Sequence, residues 1–148
     1  MSLAGKIADD FKQALKGGNK NTVAVLRMIR SSMKNREIEK RAPLTDEDVQ
    51  AELLSFAKRS KESIEQFSRA GRPDLVEKEE MELSVVRSYL PAQLSEEEVR
   101  KIINDVIREE GASGVKELGK VMKASMARLK GQAEGKMIST IVKEILEA

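Results

Sequence analysis

Thr45-Asp46-Glu47-Asp48-Val49-Gln50-Ala51-Glu52-Leu53-Leu54-Ser55-Phe56-Ala57-Lys58-Arg59-Ser60 runs on through Ser63, Ile64 and Phe67 to Ala70. Thr45 can accept from the backbone at Asp48, and three carboxylates follow where the positive end of a helix favours them. Val49, Leu53, Phe56, Ser60, Ser63/Ile64 and Phe67 then recur every three or four residues. That is the seam of a long helix packed closely against an antiparallel neighbour. The spacing predicts a helix from Asp46 to Ala70 and an all-α protein.

The flanks extend the pattern. Gly71 closes this helix, and Pro73 suits the first turn of the next, where its missing N–H costs nothing. A helix over Pro73–Tyr89 presents Val76, Leu83, Val86 and Leu90 on one side and Glu77, Glu79, Glu80 and Glu82 on the other. On the N-terminal side, Pro43 stops a helix over Lys20–Arg41, because residues before proline avoid helical angles. Its stripe is Val25, Leu26, Ile29, Met33 and Ile38, with Arg27, Arg30, Lys34 and Arg36 off it. A first helix, Leu3–Leu15, aligns Ile7, Phe11 and Leu15 and ends at Gly17-Gly18.

Tyr89-Leu90-Pro91 breaks the periodicity, so a boundary is expected between Pro91 and Leu94: a bundle of about four helices, including a long antiparallel pair, over 1–92, and a three-helix domain over 93–148. Ser95-Glu96-Glu97-Glu98 reads as a capping box for a helix over Glu96–Glu110 with Val99, Ile102, Ile103, Val106 and Ile107 inward. Ser113 is expected to cap a sixth helix, Val115–Leu129, burying Val115, Leu118, Met122 and Leu129. A seventh, Glu134–Leu146, carries Ile138, Ile141, Val142, Ile145 and Leu146. The methionines, Met28, Met33, Met81, Met122, Met126 and Met137, fall at helical spacing and read as core.

Composition agrees with helix. Aromatic residues are 3% of the 148, and strands favour aromatic and β-branched side chains. Cys and His are both absent. That removes disulfides, thiolate metal sites, the commonest metal ligand and the commonest general base. No apolar run reaches the roughly 20 residues that span a bilayer, and the first twenty residues lack an apolar signal-peptide core. A cytoplasmic protein without a membrane contact is the expectation. Net charge is +2, but it is segregated: residues 1–41 hold ten basic against four acidic side chains, and residues 111–148 hold seven against four, with an acidic middle. Such asymmetry steers anionic partners.

The residues offer little for bond-making. The carboxylates lie on helix faces mixed with Lys and Arg, with no sign of a pair whose pKa values are driven apart. Ser31-Ser32 and Ser60-Lys61 sit in helical patterns without the sharp elbow of a serine nucleophile. The segment Gly114–Lys120 lacks the preceding strand and the spacing of a phosphate loop. Asp46-Glu47-Asp48 reads as a helix start rather than a cation site. No catalytic residue, cofactor or metal is expected.

Polyanion binding fits better. Lys116, Lys120 and Lys123 lie at i, i+4 and i+7 and so share a helix face. Lys130 and Lys136 flank the turn into the seventh helix, where backbone amides near Gly135 add donors. Gly119 inside a helix costs about 1 kcal/mol against alanine; a close approach of backbone to another helix or to a ligand would explain it. With so few aromatics, base stacking gives way to recognition of shape and phosphate.

The chain also resembles the YqeY-like proteins. The likeness rests on Phe67-Ser68-Arg69-Ala70-Gly71-Arg72-Pro73-Asp74-Leu75-Val76 with Glu77-Lys78-Glu79, on Tyr89-Leu90-Pro91 with Gln93-Leu94-Ser95, and on Gly119-Lys120-Val121-Met122 followed by Lys130-Gly131, Gly135-Lys136 and Val142. It spans essentially the whole chain. The resemblance implies an all-helical fold and a kinship with the tail domain of the B subunit of the tRNA-dependent amidotransferase, a carbon–nitrogen ligase with glutamine as amide donor. In that enzyme the tail is associated with holding tRNA, and the amidase and kinase-like cores have no counterpart here. Lys123-Ala124 stands where many relatives are expected to carry glycine; the added side chain either obstructs a close contact or contributes charge to it.

The leading reading is a non-catalytic, tRNA-binding accessory protein using Lys116, Gly119, Lys120, Lys123, Lys130, Gly131, Gly135 and Lys136, with Arg27, Arg30 and Lys34 as a second patch. The alternative is a protein–protein adaptor for amidotransferase subunits or other translation proteins, docking through a long seam such as Val49–Phe67.

Overall fold

The computed structural model describes residues 2–148, so Met1, at the start of the expected first domain, lies outside the described residues. These residues form seven α-helices and no strand: α1 Leu3–Lys16, α2 Lys20–Lys40, α3 Asp46–Arg69, α4 Pro73–Arg87, α5 Glu96–Glu110, α6 Leu118–Arg128 and α7 Gly135–Glu147, with a 3-10 turn, Val115–Glu117, leading into α6. The chain divides into two compact units, Met1–Leu90 and Pro91–Ala148.

In the first unit, the Thr45 side chain accepts from the Asp48 amide while the Asp48 carboxylate accepts from the Thr45 amide, a reciprocal cap at the start of α3. Lys40 pairs with Asp48 across the α2–α3 turn. Arg41 closes α2 in the left-handed region at φ 58°, and Pro43 follows two residues later. The seam buries Val49, Leu53, Ala57 and Ser60. It is filled from the other side by α4, the helix with which α3 packs most extensively. The groove expected for docking along Val49–Phe67 is therefore occupied by the protein itself. The core joins these residues to Ile7, Val25, Leu26, Ile29, Met33, Leu83, Val86 and Leu90; each fully buried Leu or Ile contributes about 1.5–3 kcal/mol. Tyr89 donates to Asp10 at 2.6 Å, across 79 residues of sequence. Burial first, then the Asp10 carboxylate, raises the phenol far above its ordinary value.

Three stripe residues face outward instead. Leu15 and Ile38 sit in the last turns of α1 and α2, beyond the final core contacts at Phe11 and Met33, and are 49% and 66% exposed. Val115, expected inward, is 53% exposed. It begins a 3-10 turn, whose three residues per turn rotate the register ahead of α6. Val121, Ser125 and Leu129 become the buried row, and Met122 is left half-buried. Met28 is likewise exposed rather than core.

The second unit packs α5, α6 and α7 around Val99, Ile103, Val106, Val121, Leu129, Ile138, Ile141 and Val142. Its entry and its α6–α7 turn are stitched together. Gln93 Nε2 donates to the carbonyls of Pro91 (2.8 Å) and Gly131 (2.7 Å), and the Leu94 amide donates to Gln132 O at 3.0 Å. Gly131 makes this turn possible with φ 75°.

Candidate nucleic-acid interface

The start of α6 sets the geometry of the lysines. The Glu117 carboxylate turns back to accept from the amides of Ser113 (2.8 Å) and Gly114 (3.2 Å). Those two hydrogen bonds, with Lys120 nearby, hold its carboxyl below the usual range. Glu117, not Ser113, thus occupies the free donors at this end, and a bound anion cannot use them.

The 3-10 turn also changes which residues align. Side chains three apart in such a turn nearly eclipse, so Lys116 falls over Gly119, and Lys123, four residues on in α6, lies on the same face. Lys116 and Lys123 are about 11 Å apart along the axis. Lys120 points round the helix instead, and its amine lies 3.3 Å from Glu110 Oε2. The expected row of Lys116, Lys120 and Lys123 therefore becomes Lys116, Gly119 and Lys123, with Lys120 tied to the end of α5.

Gly119 is exposed, and an added Cβ would meet nothing within 4 Å. Helix packing within the unit does not require this glycine. Lys116, Lys123 and Lys136 are exposed and form no ion pair among the described residues, whereas Arg100, Arg108 and Arg128 are paired with Glu96 and Glu144, with Asp105, and with Glu109 respectively. Lys130 is exposed but engaged. Gly131 is buried, so it shapes the turn and offers no surface. Gly135 opens α7, where no side chain caps the helix, and a Cβ there would rest against Met126 at 3.6 Å.

The second patch lies in the other unit. Arg27, Arg30 and Lys34 line a hollow of about 510 Å³ between α1 and α2, together with Ala8 and Phe11. The guanidinium carbons of Arg30 and Arg27 stand 4.6 and 5.7 Å from the centre of the Phe11 ring. Sequence reasoning found the cations but not the ring beneath them. The available signal was Phe11 itself, in α1 at a position expected to be wholly core.

Chemistry-bearing groups elsewhere are spoken for. The Ser32 hydroxyl donates to Glu52, which Arg36 also holds at 3.1 Å, pinning α2 to α3. Glu82 is raised by burial and then by Glu79, a modest effect on the acidic side of α4. Among the described residues no three acidic side chains gather to hold a metal ion, and no helix is long and apolar enough to cross a membrane.

Comparison with known proteins accords with this helical frame. The chain is 29% identical to "Altered inheritance of mitochondria protein 41, mitochondrial" of Pyrenophora tritici-repentis, over 97% of this chain and 80% of that protein. It is 32% identical to the protein of the same name from Kluyveromyces lactis, over 78% of this chain and 66% of that one. It is 28% identical to a glutamyl-tRNA(Gln) amidotransferase subunit of Thermococcus gammatolerans, over 99% of this chain but only 24% of that much longer protein. The kinship with a tRNA-dependent amidotransferase thus runs through a long subunit of which this chain matches one part. The model of the family described as "Yqey-like protein" matches residues 4–146, and the chain belongs to that family.

Proposed function

We propose that the chain is a non-catalytic accessory protein that holds tRNA through its C-terminal unit. The observation that carries this is Gly119, a helical glycine with open space above it, flanked on one face by the unpaired amines of Lys116 and Lys123. A bare backbone between two free cations lets a sugar–phosphate chain approach closely, and Lys136 adds a third unpaired amine. The relatives lend the substrate class: the Thermococcus protein belongs by name to an enzyme of glutamyl-tRNA(Gln), and nearly the whole of this chain aligns with about a quarter of it.

The test is binding of unfractionated tRNA, followed by fluorescence anisotropy from about 50 to 200 mM salt. Affinity should fall steeply with salt as neutralised phosphates release counterions. Changing Lys116, Lys123 and Lys136 together to alanine should flatten the log–log slope by about 2–3, at about 0.7–0.9 per phosphate contact. Absence of binding at low salt, or an unchanged slope in the triple variant, overturns the reading.

A further inference from the structure

The outer side of α2 carries a feature that RNA holding by the other unit does not use. Three hollows run end to end along it. The first, about 240 Å³, is lined by Ala14, Leu15, Val23, Ala24 and Arg27. The central one of about 510 Å³ shares Arg27 and continues past Arg30 and Ser31 to Lys34 and Glu37. The last, about 360 Å³, shares Lys34 and Glu37 and ends at Ile38, Arg41 and Pro43. Residues 23/24, 27, 30/31, 34, 37/38 and 41 recur at helical spacing, so the trough follows one face of α2 for about 30 Å. Its floor is apolar and made partly of small residues. Its rim has Lys20, Arg27, Arg30, Lys34 and Arg41 against the single carboxylate Glu37. Leu15 and Ile38, the two stripe residues that left the core, stand exposed at its two ends.

We propose that this trough docks an acidic amphipathic α-helix from a partner protein. Apolar positions at helical spacing beneath a cationic rim complement a helix with an apolar stripe flanked by Glu and Asp. A nucleic acid matches the rim but has nothing to set on Leu15, Val23 or Ile38, and the Phe11 ring is already covered by two guanidiniums, so no base stacks on it. A second copy of this chain fits less well. Its acidic α4 has its apolar side committed to α3, and so offers no acidic helix with a free stripe.

The experiment is selection on the full chain from a displayed library of helical peptides of about 20 residues, with leucine fixed along one stripe and the flanking positions randomised. Enrichment of Asp and Glu at the flanks is expected. Binding of the selected peptide should fall at least about tenfold in Arg30→Glu/Lys34→Glu and in Ser31→Trp. All three positions are exposed or lie at the helix surface away from the core, so the fold is kept, with circular dichroism as the check. Lys116→Ala/Lys123→Ala should bind the peptide as the wild type does. No enrichment, neutral or basic flanks, or binding indifferent to Ser31→Trp overturns the proposal. Loss of tRNA binding in Arg30→Glu/Lys34→Glu assigns the trough to nucleic acid instead. Self-association abolished by Ser31→Trp assigns it to a second copy. Either result also overturns the proposal.

Discussion

Replacing Gly119 with alanine separates what the fold needs from what a ligand needs. Gly119 lies in α6 with helical backbone angles, and its missing Cβ faces open space. Alanine there loses no packing and removes the conformational freedom that glycine gives the unfolded chain. Folding should gain about 0.5–1 kcal/mol. For a unit of about 60 residues that is a rise of roughly 2–8 °C in the thermal midpoint. Binding should move the other way. A methyl group set between Lys116 and Lys123 holds a phosphate backbone off the helix, and overpacking of that kind costs about 1 kcal/mol or more, at least about fivefold in Kd. Thermal unfolding by circular dichroism and tRNA anisotropy on the same preparation give both numbers. A lower midpoint would show that the glycine serves the fold. A higher midpoint with unchanged tRNA affinity would remove the argument that anything approaches the helix there.

Other positions test the scaffold. Leu53→Ala, at a fully buried site on the α3 seam, should destabilise by about 2–5 kcal/mol in a urea titration. Ser125 is fully buried in the second unit and its hydroxyl lacks a hydrogen-bond partner; Ser125→Ala should therefore leave stability unchanged or raise it by about 1 kcal/mol. Asp48, held at about 2 by Lys40 and then the Thr45 amide, has a folded pKa below its unfolded one. Its contribution is present above about pH 4 and is lost as pH falls through about 2. Between those limits the midpoint of wild type should drop more steeply than that of Asp48→Asn.

The helices were legible because local rules and packing agree. Thr45 with Asp48, Gly111 and Pro73 mark helix ends by mechanisms confined to a few residues, and the period of Val49, Leu53 and their successors needs only a partner to bury against. Departures arose where the outcome depends on how far that partner extends. Ile38 continues the stripe of α2, but the core stops at Met33, and a period cannot announce where its neighbour ends. Val115 fits a helical row, but the Glu117 carboxylate secures a tighter turn at that point. The register of α6 moves with it.

The candidate sites show the same division. A set of lysines in a sequence carries no information on which of them the protein neutralises. Lys120 and Lys123 read alike in sequence, yet one faces Glu110 at 3.3 Å and the other faces water. Ten residues separate Lys120 from Glu110, and whether they meet depends on the turn that closes α5 and the 3-10 step that opens α6. The same step brings Lys116 over Gly119. A single capping carboxylate, Glu117, therefore links the two readings. It takes the amides an anion would otherwise use, and by fixing the turn it leaves free amines on either side of a bare helical backbone. Neutralising it as Glu117→Gln removes the strong acceptor for Ser113 and Gly114. If the face is a product of that turn, the variant should lose tRNA affinity although a negative charge beside the lysines has been taken away.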